Sequence, residues 1–409
     1  MIGLLATLLG FFGLSAAPAK VRFEPPEEVA ALPVSVVATE DRVLVYREPR
    51  RGAERRGTVA GGYRMPVFRA EPGSGCASLW FELHSEGWVC GDHAATSTLP
   101  PDAPALPELD DDVLTPFPYG FVREGGAPLF ERLTDVAAAY SERWLEQGFA
   151  VSVQRRLTYA GERLYRSAGG AYVRASDVYL ARPSAFQGTE IDGPEDIGWT
   201  FGGTARLQES LPGSGGDRGT TLERQTLLHF VAEHQVGRRT WLEVEGGGFI
   251  RDADVRRPEY VPPPEGVGPY DRWFDVDRSR QVLVAYEGSR PVYATLVSTG
   301  RQNYATPQGT FRIWVKLISD RMANEMPEDP EESPYYLEDV PWVAYFNDDI
   351  ALHGAYWHRA FGTRKSHGCV NLAPIDAKWV FDFARPSLPR GWWSISATES
   401  DAGSIVVVR

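Results

Sequence analysis

Gln281-Val282-Leu283-Val284-Ala285-Tyr286, then Glu287-Gly288-Ser289-Arg290, then Val292-Tyr293-Ala294-Thr295-Leu296-Val297 reads as two apolar, β-branched runs joined by a glycine turn. Residues of this kind fit a pleated surface and the glycine frees the turn, so the stretch predicts a pair of strands. Phe311 to Leu317, Trp342 to Phe346 and Ile350 to His353 continue the β pattern downstream. A helical period shows only after Pro374, where Ile375, Trp379, Val380 and Phe383 share one face and Asp376 sits in the first turn.

Upstream, three segments repeat one pattern. Gly87-Trp88-Val89-Cys90-Gly91-Asp92, Ala171-Tyr172-Val173-Arg174-Ala175-Ser176-Asp177-Val178 and Gly248-Phe249-Ile250-Arg251-Asp252-Ala253-Asp254-Val255 each pass from Gly or Ala through an aromatic and a β-branched residue to a polar stretch with Asp. Before each stands a strand with an aromatic or apolar face: Leu79-Trp80-Phe81-Glu82-Leu83, Arg163-Leu164-Tyr165-Arg166 and Thr240-Trp241-Leu242-Glu243-Val244. Strand, turn and strand make a hairpin, and its recurrence predicts three related β-modules over about 34–97, 117–184 and 197–257. With Asp41-Arg42-Val43-Leu44-Val45-Tyr46-Arg47-Glu48-Pro49 at its start and Glu86-Gly87-Trp88-Val89 at its end, the first resembles a bacterial SH3-like domain. The other two follow it more loosely. The resemblance implies small barrels that accompany cell-wall enzymes and bind wall components. Trp80, Trp88 and Trp241 are expected in the module cores rather than as ligand platforms. Residues 98–118, proline-rich with Asp110-Asp111-Asp112, and residues 261–269 read as linkers.

At 409 residues the chain is too long for one ordinary core, which predicts two to four domains. Its 41 Gly and 31 Pro favour turns and short strands, while a hydrophobic share of 43% is enough for packed cores. The formal charge of −13 comes with both signs interspersed and no basic stripe, which argues against a nucleic-acid partner. Residues 2–14 form an uncharged apolar run, followed by Ser15-Ala16-Ala17-Pro18-Ala19. The run is short for a bilayer span and ends in small residues, so 1–19 reads as a signal peptide rather than a buried N-terminal helix. The mature chain is then exported to the periplasm or cell envelope without a transmembrane anchor.

The chain has three cysteines. In an oxidising envelope Cys76 and Cys90 can pair, or stay as two buried thiols. Cys369 is left over in Ser366-His367-Gly368-Cys369-Val370-Asn371, and an unpaired thiol in an exported protein calls for a role. Gly368 lets a carbonyl approach closely and permits a tight turn whose N–H groups converge on an oxyanion. The thiol also needs a base. His367, two residues away, points elsewhere in extended chain. His353, ending a predicted strand, is the better base, with its ring held by a backbone carbonyl. Papain-like wall peptidases place the histidine after the cysteine, whereas no histidine follows His367. A zinc site from His353, His358, His367 and Cys369 is disfavoured, because the histidine spacing suits no single helix face and there is no Cys-x-x-Cys pair. The bland alternative is a buried structural thiol.

His353-Gly354 followed by Ser366-His367-Gly368-Cys369-Val370-Asn371 resembles the signature of YkuD-type L,D-transpeptidases. Thr306-Pro307-Gln308-Gly309-Thr310-Phe311 is similar to a second hallmark of that family, and the resemblance spans about residues 271–409. The fold class it implies is mainly β: three SH3-like modules followed by a β-rich catalytic domain with one or two helices. The implied activity is attack by Cys369 on the third residue of a peptidoglycan stem peptide, release of the terminal D-Ala, and transfer to an acceptor amine to give a 3–3 cross-link. His353 would be the base, and the N–H groups of Gly368 and Cys369 the oxyanion hole. No metal or organic cofactor is implied. Ser366 and Asn371, near the thiol in sequence, and Gly354, next to His353, are assigned to substrate binding, and Ser366, His367 and Asn371 also to shaping the turn. The acidic, aromatic stretch 319–340 occupies the place of the family's lid. Tyr335, Tyr336 or Trp357 would then wall the cleft, unless the stretch is a solvated loop. Water as acceptor, giving a carboxypeptidase or endopeptidase, and an inactive wall-binding scaffold are the competing functions.

Overall fold

The hairpin at 281–297 lies in the middle of a long mixed sheet. The computed structural model describes residues 32–103, 114–203, 205–213, 219–327 and 334–409. The signal-peptide reading of 1–19, the run Asp110-Asp111-Asp112 and the acidic residues Glu328, Asp329, Glu331 and Glu332 lie outside them. Strands β1 (Arg272–Asp277), β2 (Val282–Glu287), β3 (Arg290–Ser298), β4 (Gly309–Arg312) and β5 (Val315–Asn324) come first. They are followed by β6 (Tyr335–Asn347), β7 (Ile350–Gly354), β8 (Val370–Leu372), β9 (Trp392–Ser396) and β10 (Ile405–Val408). Their order across the sheet is β4-β10-β1-β2-β3-β8-β7-β6-β5-β9. Pairing is antiparallel except at β1–β10 and β7–β8.

Strands β1 to β3 are buried on both faces, which is why they read as nearly continuous apolar runs. One face packs on the helix Pro374–Phe383 through Leu352, Val370, Leu372, Val380 and Phe381. The other is covered by residues from outside 271–409. Ile197 and Trp199 of the third segment join Trp273, Val284 and Phe361 in one cluster, and Tyr119, Phe121 and Ala150 of the second join Val343, Ala351 and Tyr356 in another.

The helix is rotated from the expected orientation. Ile375, Trp379 and Phe383 are only half-buried, whereas Asp376 is fully buried. The Gly188 N–H and the hydroxyls of Tyr293 and Thr295 donate to the Asp376 carboxyl and draw it inward. Burial still pushes that carboxyl up to about 6. The stretch 319–340 also departs from expectation. It is mostly an extension of β5 and β6 into an antiparallel arm, with Asn324 opposite Tyr335, rather than a loop.

The first two segments pair strands directly with this sheet, Arg55–Ala60 with β9 and Ala150–Ser152 with β6. Thr189–Glu190, between the second and third, pairs with β3, while the third segment forms a sheet of its own. Trp80, Trp88 and Trp241 are buried. Cys76 and Cys90 form a disulfide, with Cα atoms 5.7 Å apart. The expected linker 261–269 is partly packed: the Val261 N–H donates to the Tyr286 hydroxyl, and Val261 and Val267 pack on the cluster around Trp273. None of the helices among the described residues is long and apolar enough to cross a membrane.

Candidate active site

Two short strands assemble the site. In the parallel pair β7–β8, Leu352 faces Val370 and His353 faces Asn371. Because strand side chains alternate, Leu352, Val370 and Leu372 enter the core under the helix, while Ala351, His353 and Asn371 take the opposite face. Cys369, two residues before Asn371, joins that face as a diagonal neighbour of His353. It packs beside Trp357 and Tyr345 on the cluster of Ala351 and Tyr356.

The His353 ring is buried, and its Nδ1 lies 3.2 Å from the Gly354 carbonyl, where it donates. That fixes the tautomer and leaves Nε2 as the lone-pair nitrogen. Burial pushes the imidazole down to about 4. Burial pushes the Cys369 thiol up to about 11, against the opposing pull of the Ala351 N–H. The thiol rests 3.8 Å from the Asp349 carbonyl. The resting pair is thus a neutral thiol and a neutral imidazole.

The nucleophile's turn is held from within and from the loop at 299–306. Gly368 has φ +130°, a conformation that favours glycine, and its N–H donates to the Ser366 hydroxyl at 3.1 Å. Ser366 in turn donates to the Cys369 carbonyl. The Gly368 N–H is therefore engaged inside the turn, which replaces the expectation that it lines an oxyanion hole. Ser366 is buried and ties the turn together rather than facing substrate. Thr306, fully buried, accepts the Gly300 N–H at 3.0 Å and donates to the Gly368 carbonyl at 2.7 Å. The Thr-Pro-x-Gly hallmark marked this residue, but only the fold reveals what its hydroxyl holds.

The remaining expected residues divide. Asn371 is buried with its amide 3.0 Å from His358 Nε2, so it meets a histidine rather than substrate. The Ala360 N–H donates to His358 Nδ1, which leaves the ring proton on Nε2. With its oxygen turned to that proton, the Asn371 amide also satisfies an Oδ1 otherwise buried without a partner among the described residues. Burial pushes His358 down to about 4. Gly354 contributes its carbonyl to His353 and is itself buried. Tyr336 is buried against Phe149, with its hydroxyl donating to Glu338, so it walls no cleft. Tyr335 stacks on His367 at 5.5 Å, and Trp357 lies 5.6 Å from His353. His367 is exposed, and its Nε2 accepts from Arg301, which removes that nitrogen from base duty. Tyr345, whose hydroxyl donates to Asp320, also packs against the cluster that holds Cys369, and no sequence signal pointed to it.

Part of the chain is similar to known proteins. Residues 271–408 match the sequence model of the YkuD family, described as the L,D-transpeptidase catalytic domain. A putative L,D-transpeptidase, YciB of Bacillus subtilis (strain 168), is 29% identical over 130 residues, 27% of this chain and 59% of that protein. L,D-transpeptidase 2 of Mycobacterium tuberculosis (strain CDC 1551 / Oshkosh) is 26% identical over 113 residues, 27% of this chain and 28% of that protein. The chain thus spans less than two-thirds of the length of either relative. Among solved structures, an L,D-transpeptidase from Stackebrandtia nassauensis has 27% identity and a TM-score of 0.24, covering 35% of this chain and 57% of that one. L,D-transpeptidase 3 from Mycobacterium tuberculosis, in complex with a faropenem-derived adduct, has 19% identity and a TM-score of 0.28, covering 44% and 77%. Residues 271–408 of this chain form a YkuD L,D-transpeptidase catalytic domain.

Proposed function

We propose that the protein is a peptidoglycan L,D-transpeptidase that works through an acyl-enzyme on Cys369, with His353 as its base. The observation that carries this reading is the parallel register of β7 and β8, which sets His353 and Cys369 on one face of the sheet inside the matched region. In the proposed reaction, Cys369 loses its proton to His353 Nε2 as sulfur bonds to the carbonyl carbon of the third stem residue. The C–N bond to the terminal D-Ala then breaks, and the imidazolium returns the proton to that amine. An acceptor amine from a second stem attacks the thioester and gives up its proton through His353. Its amide bond forms as the thiol leaves.

Trp357 and Tyr335 are inferred to border the bound stem, and Ser366, Asn371, His358 and Gly354 to position the reacting pair. The N-terminal segments are read as SH3-like modules that associate with wall components, each folding short antiparallel strands around an apolar cluster, to which Trp392 and Ile395 contribute in the first and Tyr336 in the second. Export to the cell envelope suits both the substrate and the Cys76–Cys90 disulfide.

The test is incubation of the protein with disaccharide-tetrapeptide, read by mass spectrometry. A tetrapeptide–tripeptide dimer and an acyl adduct on Cys369, both lost in Cys369→Ala, are expected. Free tripeptide alone would assign water as the acceptor. No adduct on the folded wild-type protein would end the cysteine mechanism.

A further inference from the structure

The loop 355–365 runs from the base strand β7 to the nucleophile's turn, so its shape sets where those two residues stand. Much of what holds it comes from outside residues 271–409. In the third segment, Gln225 Nε2 donates to the carbonyls of Arg359 and Phe361, at 3.1 and 3.5 Å. Arg256 Nε donates to the Gly362 carbonyl at 3.2 Å, while its guanidinium lies 3.4 Å over the Phe201 ring. Gln225 does this from a left-handed backbone, φ +64°, an uncommon conformation for a residue with a side chain. Strain of that kind persists where surrounding contacts impose it. In the second segment, Tyr119 stacks on Tyr356 with ring centres 3.5 Å apart, and the Arg182 carbonyl accepts both Nε and Nη2 of Arg359.

We infer that the third segment is a working part of the catalytic centre, with Gln225 and Arg256 as positioning residues that act through the 355–365 loop on His353 and Cys369. Bonds to the carbonyls of Arg359, Phe361 and Gly362 restrict the loop, and with it the separation of the pair it connects. Small displacements of a reacting pair cost rate far more than they cost stability or binding. The inference rests on the transpeptidase reading for its substrate, but not for its geometry.

The experiment uses the full chain with Gln225→Asn and Arg256→Lys. Asparagine tolerates the left-handed backbone yet is too short to reach the two carbonyls. Lysine keeps a cation over Phe201 and loses the Nε–H that Gly362 accepts. Gln235→Ala, on a hairpin of the same segment where Gln235 donates to the Thr240 hydroxyl, serves as control. With disaccharide-tetrapeptide, each of the two variants should lower kcat about tenfold or more, with KM changed less than about twofold and melting near wild type. The control should match wild type in all three. Alkylation of Cys369 by iodoacetamide across pH should also change in the two variants and not in the control. Folded variants with wild-type kcat and a wild-type alkylation profile would overturn the inference. If wild type fails to turn over the stem peptide, the functional reading falls, and the alkylation profile alone decides positioning. Should one variant fail to fold, the other decides.

Discussion

A thiol pushed up to about 11 beside an imidazole pushed down to about 4 does not rest as an ion pair. Taken separately, those values put proton transfer on the order of 10 kcal/mol uphill, before the two new charges attract one another. The proton must therefore leave as sulfur bonds to carbon, with neutral His353 as general base. The pH profile follows. Both groups hold their working forms from about pH 5 to 9, so Cys369 acylation by substrate should be nearly flat across that range. In His353→Ala only free thiolate remains, and the rate should be low and climb about tenfold per pH unit. A wild-type rate that climbs the same way would remove His353 from the base role. Thr306→Val tests the turn. It keeps the volume and strips the hydroxyl from both the Gly300 N–H and the Gly368 carbonyl, buried groups whose loss of a partner costs about 1–3 kcal/mol. Melting should fall by several degrees and acylation should slow, and an unchanged acylation rate would show that the turn holds without Thr306. At this scale much was legible, because the chemistry is local. A cysteine in a glycine turn, a histidine ending a strand and a carbonyl to hold it are read from neighbours. The turn-shaping role given to Ser366 was legible; what escaped was that the Gly368 N–H is engaged by Ser366 and that Asn371 meets His358, because no motif reports the direction of a side chain.

Among the elements, the arm formed by β5 and β6 departs most from its reading, and its base contains a buried carboxyl that keeps its proton. Glu338 is buried with its oxygens accepting from the Ser152 N–H and the Tyr336 hydroxyl, and burial pushes it up to about 7. Next to it, Asp339 accepts from the hydroxyls of Ser152 and Ser319. Ser152 belongs to the second segment, so this acidic pair joins that segment to the arm. The sign of its pH dependence can be worked out. A carboxyl raised from 4.5 to about 7 on folding keeps its proton in the native state while the unfolded chain loses it. Its contribution is whole below pH 4.5 and is lost as pH rises through 7. Glu338→Gln should remove that share of the decline in melting temperature between pH 5 and 7.5. A wild-type-like decline in the variant would place the titration elsewhere. The sequence marked 319–340 as acidic and aromatic and therefore as a lid or a solvated loop. The acidity at 338–339 is consumed by an interface whose partner lies 186 residues upstream, a distance that no periodicity spans.

Across the whole molecule, the boundary expected near residue 270 is not where the packing stops. Strand β9 continues into Arg55–Ala60, and Gly57 approaches so closely that a Cβ there would stand 2.1 Å from the Ser394 carbonyl. Arg56, fully buried, bonds the Asp401 carboxylate and the Ser396 carbonyl. Ile197 and Trp199 cover the apolar face of the central strands, and Ala150 meets Leu337 in the sheet. Removing residues 1–270 would bare sheet backbone on β9, β6 and β3 and an aromatic face, and would strand buried polar groups, each of which destabilises what is left. Contacts of that extent resemble a shared core more than a joint between independent domains. The fragment 271–409 should therefore lack a cooperative thermal transition, bind a hydrophobic dye and succumb to protease, whereas the full chain melts as a unit. A fragment that melts sharply and acylates Cys369 at the full-chain rate would make the N-terminal segments accessory. A fragment that melts sharply but acylates slowly would separate the two roles, leaving the fold to residues 271–409 and the placement of the reacting pair to the segments before them.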